Sequence, residues 1–154
     1  MSAMEVVVDA SLAVKWVVGE PYSSEARVLL DHWRDDGRRL LAPALFLYEV
    51  TNALAKRIQR RQLTPEQGKE RLRFFQESGP LLQQIGSVHP RSLELMERFA
   101  LPTAYDAHYL ALAEYQRCEC WTADERLWNT VKRQLSWVRW IGERKLQAGR
   151  GGRI

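Results

Sequence analysis

The sequence predicts a single α/β domain with a mainly parallel central sheet of about five short strands and helices on both faces. Short apolar runs alternate with helical patterns along the chain, which is typical of a parallel sheet with crossover helices. The 154 residues are enough for one domain with its own core. Hydrophobic residues make up 45% of the chain and charged residues 27%, as in ordinary globular proteins.

Each predicted strand is a short apolar run bounded by polar or turn residues. The runs are residues 4–8, "RLLAP", a segment within "LLQQIGSV", the start of "CECWTADERLWN", and "SWVRWI". In an open parallel sheet, the ligand site lies beyond the carboxyl ends of the strands, where the strand order reverses. Residues that directly follow the strands are therefore the first candidates for chemistry.

The predicted helices rest on capping signals and on apolar spacing. Ser23 or Ser24 is expected to cap a helix that runs to about Asp35. Thr64 and Gln67 form a capping box around Pro65, which predicts a helix to about Ser78.

One long helix and three further helices complete the predicted alternation with the strands. A helix from about Ala44 to Arg61 is expected to bury the stripe Leu47, Val50, Leu54 and Ile58. The remaining helices are expected from His89-Pro90 to Phe99, after Thr103 as N-cap, and through Leu127 and Val131.

The positive charge of the chain is concentrated at its carboxyl end. The net charge is +4, and residues 132–154 hold seven basic residues against one acidic residue. We expect a domain over residues 1–146 and a basic flexible tail over residues 147–154. No apolar run reaches the roughly 18 residues that suggest a membrane span, and the start lacks a basic region leading into an apolar one. We therefore expect a cytoplasmic protein without a membrane partner.

Four carboxylates lie at or near the predicted strand ends: Asp9, Glu49, Asp106 and Asp124. Each has an ordinary structural explanation. Asp9 and Asp124 occupy possible N-cap positions. Asp106 lies three residues after Thr103, which is the spacing of a capping box. Glu49 can be an exposed glutamate of its helix.

Together, the four acids favour a metal site. Carboxylates gathered at one sheet edge repel one another, which raises their pKa values. A divalent cation removes this conflict, and oxygen ligands suit Mg²⁺ or Mn²⁺. The chemistry that such a site supports is phosphodiester hydrolysis.

Other catalytic schemes fit less well. The chain lacks G-x-x-x-x-G-K-[ST], G-x-G-x-x-G and G-x-S-x-G. The three histidines are scattered and form no ligand pair at helical spacing. A phosphatase of the haloacid dehalogenase type also begins with strand–Asp, but it needs a second acid two residues on, where this chain has Ser11.

The motif blocks around the acids resemble those of a known family. "VVVDASLAVKW", "APALFLYEVTNALAK", "LPTAYDAHYLALAE" and "CWTADERLWN" resemble, in order and spacing, the four blocks of PIN-domain ribonucleases, and most closely those of VapC-type toxins. The resemblance covers about residues 4 to 140. It implies that residues 1–146 form a PIN-like nuclease domain.

The resemblance also implies roles for individual residues. Asp9, Glu49, Asp106 and Asp124 match the metal-binding, catalytic acids of the family. Ser11 and Thr122 match small hydroxyl positions near the metal, and Asn52 matches a polar position one turn after the glutamate. Ser11 can equally be a turn-starting hydroxyl, and Asn52 a surface amide.

The activity implied by the resemblance is that of an endoribonuclease dependent on Mg²⁺ or Mn²⁺. Its substrate is single-stranded or loop RNA of the transfer RNA or ribosomal RNA class, and it acts as the toxin of a type II toxin–antitoxin pair. The implied partners are a cognate antitoxin and a second copy of the chain in a homodimer. A solitary RNA-processing nuclease and a non-catalytic RNA- or partner-binding module remain as alternatives.

Two groups of residues are possible RNA contacts. The aromatic candidates for base stacking also fit core positions: Trp16, Tyr48, Tyr105, Tyr109 and Trp128. The segment "AKRIQRRQLTPEQGKERLRF" is basic. It can be an RNA rim, a docking surface for an acidic partner or a solvated face.

Overall fold

The computed structural model describes residues 4–143. Five strands make one sheet: β1 (Glu5–Val8), β2 (Arg39–Pro43), β3 (Leu81–Gln83), β4 (Glu119–Thr122) and β5 (Val138–Trp140). The helices are α1 (Ala10–Ala13), α2 (Ser23–Asp35), α3 (Phe46–Gln59), α4 (Pro65–Ser78), α5 (Val88–Phe99), α6 (Ala104–Gln116) and α7 (Glu125–Val131). A 3₁₀ turn at Val14–Trp16 follows α1. The predicted α/β class is confirmed.

The sheet is entirely parallel, with the strand order β3-β2-β1-β4-β5. From β1 the chain builds outward through β2 and β3, then returns to the other side of β1 with β4 and β5. The order therefore reverses between β1 and β4. In the register of these strands, Val7 lies beside Leu41 of β2 and Cys120 of β4.

The central strand is buried on both faces of the sheet. Val6, Val7 and Val8 are each 0% exposed, although consecutive side chains of a strand point to opposite faces. Helical layers must therefore cover both faces, which explains why this strand is a continuous apolar run. Cys118, just before β4, and Cys120, within it, are free, buried thiols. Burial raises the pKa of Cys118 to about 11 and also raises that of Cys120.

The chain turns into a helix directly after the central strand, and this helix was not predicted. Asp9 is the N-cap residue of α1, which is only four residues long. Leu12 and Ala13 are fully buried. The short helix keeps Asp9 and Ser11 at the carboxyl end of the sheet.

The long helix α3 begins two residues later than predicted and ends at Gln59. Its buried positions are Phe46, Val50 and Leu54, whereas Leu47 is only partly buried. Ile58 is also only partly buried, so the predicted stripe was wrong at both ends and right at Val50 and Leu54. Phe46 lies one turn before Val50 and fills the core position there.

The predicted caps had different outcomes. Thr64 and Gln67 make the complete capping box at α4, as predicted. The capping role of Ser23 or Ser24 was wrong: Tyr22 is the N-cap residue of α2 and has a left-handed backbone. The Ser23 hydroxyl instead donates to the Val18 carbonyl and accepts from the Glu20 N–H, so it ties the preceding loop to α2.

The predicted tail at residues 147–154 and the domain boundary at 146 lie outside the described residues. Among residues 4–143, no helix is both long enough and apolar enough to cross a membrane.

Candidate active site

The candidate site lies where the strand order of the sheet reverses. Asp9 follows β1, and Asp124 follows the neighbouring strand β4 after Ala123. The first turns of α3 and α6 carry Glu49 and Asp106 to the same edge. Side chains that are far apart in sequence therefore converge at the place where open parallel sheets bind ligands.

These side chains line one open cleft of about 510 Å³. The structure brings all four predicted acids to it: Asp9, Glu49, Asp106 and Asp124. Ser11 and Asn52 also line the cleft, whereas Thr122 lies beneath it and contacts Asp9. The predicted site residues are thus brought together in space. Their catalytic and metal-binding roles stay predictions.

Asp9 is the most enclosed of the acids, with 4% of its surface exposed. The hydroxyls of Ser11 and Thr122 both donate to its Oδ2, at 2.9 and 2.7 Å. The same hydroxyls accept from the backbone N–H groups of Ala123 and Asp124. Ser11 and Thr122 therefore connect the ends of β1 and β4 and fix the orientation of the Asp9 carboxylate.

The capping explanation holds for one of the acids. Asp124 accepts from the Leu127 N–H at 3.1 Å and caps α7. Asp9 occupies the N-cap position of α1, but its side chain makes no capping hydrogen bond. The Thr103 side chain makes none at α6 either, so Asp106 belongs to no capping box. Helix capping thus leaves the positions of Asp9 and Asp106 unexplained.

Glu49 is held by a residue that was predicted to have a different role. The Tyr109 hydroxyl donates to Glu49 Oε1 at 2.5 Å. Tyr109 is 0% exposed, so its predicted candidacy for base stacking was wrong, and the same holds for the buried Trp16. The position of Tyr109, three residues after Asp106, was a sequence signal for this contact, because residues at that spacing share a helix face.

Three of the acids are held in surroundings that disfavour their charge. Burial raises the pKa of Glu49 to about 7. The hydrogen bond from Tyr109 opposes this shift, whereas the charges of Asp9 and Asp106 contribute to it. Burial and the charges of Asp9 and Asp124 raise the pKa of Asp106 to about 6. Burial also raises the pKa of Asp9, although the Thr122 and Ser11 hydroxyls oppose this.

A basic rim on one side of the cleft was not predicted in this form. Glu20 forms ion pairs with Lys15 and Arg57, and Lys15 also donates to the Pro21 carbonyl. These three side chains are at most 25% exposed. The cleft thus has fixed positive charge at the rim and negative charge at its base.

Only part of the predicted basic segment faces the cleft. Lys56, Arg57 and Arg60 line it. Arg71 is directed elsewhere and donates to the Val17 carbonyl at 2.7 Å.

The donors at the cleft fit a hard divalent cation in their chemistry. They are carboxylate oxygens, and their raised pKa values show an excess of negative charge in a partly buried place. Within residues 4–143, no three acidic, histidine or cysteine side chains are grouped closely enough to hold a metal ion as they stand. A bound ion would therefore need side-chain rotation or water molecules to complete its coordination.

Known proteins share the sequence pattern and the fold of this chain. A model of the PIN domain family matches residues 6–133. VapC ribonuclease Mb0985 of Mycobacterium bovis is 30% identical over 129 residues, which cover 84% of this chain and 93% of that protein. Ribonuclease VapC9 of Mycobacterium tuberculosis matches with the same identity and coverage.

A solved structure supports the fold independently. The crystal structure of Mycobacterium tuberculosis VapC20, described as a sarcin-ricin loop cleaving toxin, matches with a TM-score of 0.61. The match covers 78% of this chain and 90% of that chain at 14% sequence identity. The chain therefore belongs to the PIN-domain family, and its relatives within that family are VapC ribonucleases.

Proposed function

We propose that the protein is a divalent-metal-dependent endoribonuclease that cleaves single-stranded or loop RNA and acts as the toxin of a type II toxin–antitoxin pair. The observation that carries this proposal is the cleft itself. Four carboxylates from separate segments line it, and three of them have raised pKa values. The VapC ribonucleases at 30% identity support the nuclease assignment.

The residues that would hold Mg²⁺ or Mn²⁺ are Asp9, Glu49, Asp106 and Asp124. Such an ion, when bound, lowers the pKa of a water ligand and offsets the negative charge of a phosphodiester. In the metal-free protein, the Glu49 and Asp106 carboxyl groups are partly protonated near neutral pH, because their pKa values are about 7 and about 6. Cation binding is therefore expected to release protons.

Other residues of the chain would position the acids and the RNA. Ser11 and Thr122 orient Asp9, and Tyr109 orients Glu49. Lys15 and Arg57, fixed by Glu20, offer positive charge for the RNA backbone at the rim. An RNA phosphate bound in this way would lie between the basic rim and the acidic base of the cleft.

The substrate and partner assignments belong to the same proposal. The solved VapC20 is described as cleaving the sarcin-ricin loop; for this chain we propose the wider class of transfer RNA or ribosomal RNA loops. We also propose a cytoplasmic homodimer and a cognate antitoxin that places a basic side chain against the acids. A short open reading frame just upstream of the coding sequence would favour the toxin over a solitary nuclease.

The deciding experiment compares wild type with Asp9→Asn in Mg²⁺-dependent cleavage of purified ribosomal and transfer RNA. Asp35→Asn, the same change at an exposed position of α2, is the matched control. We expect wild type and Asp35→Asn to cleave and Asp9→Asn to be inactive. Equal cleavage by all three proteins would refute the assignment of the acids.

A cellular experiment tests the toxin assignment. We expect that expression of wild type arrests growth and that Glu49→Gln removes the arrest while the protein stays soluble. Persistent arrest by a soluble Glu49→Gln variant would count against catalysis as its cause.

A further inference from the structure

A second concavity lies beside the acidic cleft, and we call it the side pocket. Its volume is about 220 Å³. Its lining includes apolar residues of three elements or loops, among them Ile85, Val88 and Leu112. The pocket is smaller than the roughly 300–1,000 Å³ of pockets for drug-sized ligands. Its size therefore suits a single planar ring system.

The side pocket and the acidic cleft share a rim. Tyr105 lines the side pocket, and the next residue, Asp106, lines the cleft. On α3, the Glu49 N–H donates to the Leu45 carbonyl, so these residues are one helical turn apart. Leu45 lines the side pocket and Glu49 the cleft. Residues that line the two cavities are thus adjacent on α6 and one turn apart at the start of α3.

An exposed aromatic ring and two unpaired amides mark this pocket. Tyr105 is 61% exposed, so its ring is accessible to a ligand in the pocket. Gln83 and Gln84 also line the pocket. In the part of the chain that the structure describes, neither side-chain amide has a hydrogen-bond partner within the protein. The pocket thus offers a stacking surface together with free donors and acceptors.

A pair of histidines completes the polar side of the pocket. His108 Nδ1 lies 2.6 Å from the Ala104 carbonyl, and a carbonyl only accepts, so this nitrogen carries the proton. His108 Nε2 and His89 Nδ1 lie 3.0 Å apart, within hydrogen-bonding distance. His89 Nε2 is then the ring nitrogen that can meet a ligand, as donor or acceptor according to the tautomer.

We propose that the side pocket binds one unstacked nucleobase of the RNA, next to the cleaved phosphodiester. The inference rests on the proposed ribonuclease function and adds a site of sequence preference to it. Single-stranded RNA is recognised by bases that leave the stack, pack on aromatic rings and form hydrogen bonds through their edges. Tyr105 provides the ring, the apolar walls enclose the base, and Gln83, Gln84 and His89 reach its edge.

The experiment uses a pool of single-stranded RNA with randomised sequence, cleaved by the full-length protein and sequenced at the cut sites. Wild type is expected to prefer certain bases at one position beside the cut. Tyr105→Ala should remove this preference and raise KM roughly 5- to 100-fold, as loss of a stacked base does, with a smaller effect on kcat. Gln83→Ala should reduce discrimination between bases with a smaller change in KM.

Two variants control for structural effects. Tyr105→Phe keeps the stacking ring and should retain the preference. Tyr115→Ala removes a comparably exposed tyrosine at the far end of α6, 56% exposed, and should leave both preference and KM unchanged. Thermal unfolding of every variant checks that the fold is intact.

The outcomes separate the side pocket from the proposed function. If wild type cleaves the pool and Tyr105→Ala cleaves with the same preference and KM, the side pocket binds no base. If Tyr105→Ala changes only the association state of the protein, the pocket holds a protein side chain and the inference is wrong. If wild type cleaves neither the pool nor purified ribosomal and transfer RNA, the ribonuclease function fails. Where the pool is not cleaved, the affinities of wild type and of Tyr105→Ala for the pool are compared. Equal affinities would refute base binding in the side pocket.

Discussion

The Tyr109 hydroxyl on α6 donates a hydrogen bond to Oε1 of Glu49 on α3. The two residues are 60 positions apart, and the contact fixes one acid of the cleft against a fully buried ring. The bond favours the charged form of Glu49, against the burial and the neighbouring charges that disfavour it. Tyr109 thus makes the Glu49 carboxylate more available for a cation at neutral pH.

Tyr109→Phe is expected to weaken both the fold and the activity. The loss of a hydrogen bond to a charged group costs about 1–3 kcal/mol, and the pKa of Glu49 should rise further. We expect a lower free energy of unfolding by urea and a Mg²⁺-dependent cleavage profile moved to higher pH. Tyr115→Phe on the same helix is the control. An unmoved pH profile in Tyr109→Phe would show that the hydroxyl only supports packing.

Divalent cations are expected to stabilise the folded protein. A ligand that binds only the folded state, present at about ten times its Kd, adds about 1.4 kcal/mol. This raises Tm by about 3–6 °C in a domain of this size. We expect Mg²⁺ and Mn²⁺ to raise Tm of wild type and of Asp35→Asn in thermal melts. Glu49→Gln and Asp106→Asn should lose most of this increase. An equal increase in all four proteins would place the ion elsewhere.

The stability of the metal-free protein should depend on pH through Glu49 and Asp106. Their folded-state pKa values, about 7 and about 6, lie above the ordinary pKa values of these side chains, 4.5 and 3.8. Between these limits the folded state binds more protons than the unfolded state, so these two groups lower stability as pH rises. The stability they contribute is full below about pH 4 and is lost by about pH 7.

The double variant Glu49→Gln and Asp106→Asn isolates this effect from that of the other acids. In EDTA, we expect the free energy of unfolding of the variant, relative to that of wild type, to increase by about 1 kcal/mol between pH 5 and pH 8. This figure is discounted because both side chains are partly exposed to solvent. Urea titrations at several pH values measure the difference. A difference that shrinks with rising pH would contradict the assigned direction of the pKa shifts.

The cleft-facing side of the basic segment should bind the RNA backbone. Arg60 is exposed and lines the cleft, whereas the exposed Arg73 on α4 does not line it. In the Asp9→Asn background, Arg60→Gln should weaken RNA binding and reduce the slope of log affinity against log salt by about 1. Arg73→Gln should leave the slope unchanged. Equal slopes in both variants would favour a solvated face or a partner-docking surface.

The fold and the residues of the cleft could be predicted to a large extent from the sequence. The strand of Val6, Val7 and Val8 is apolar throughout because it is covered on both faces. The end of this apolar run could therefore be located in the sequence, and Asp9 follows it directly. Parallel strands bring their carboxyl ends to one edge, so the convergence of Asp9 and Asp124 followed from the alternation of strands and helices. Topology alone carried this part of the prediction.

The contacts that depend on side-chain direction could not be predicted. The ion pairs of Glu20 with Lys15 and Arg57 join a loop to a distant helix, so the spacing of residues in the sequence does not predict them. The histidines His89 and His108 are scattered in sequence but lie 3.0 Å apart because α5 packs against α6. The aromatic candidates divided by burial, which periodicity left undecided: Tyr109 lies in the core, whereas Tyr105 is exposed.

Asp124 both caps α7 and lines the cleft, and this has a consequence for inactive variants of the protein. Asparagine is as good an N-cap residue as aspartate, since its side-chain oxygen accepts the same bond from the Leu127 N–H. Asp124→Asn therefore removes a negative charge from the cleft while α7 keeps its cap, whereas Asp124→Ala removes both. If Asp124 acts as proposed, the single substitution Asp124→Asn gives a protein that folds without cleaving RNA and can still occupy the partners of the active form. A cell that carries both forms would contain a built-in competitor.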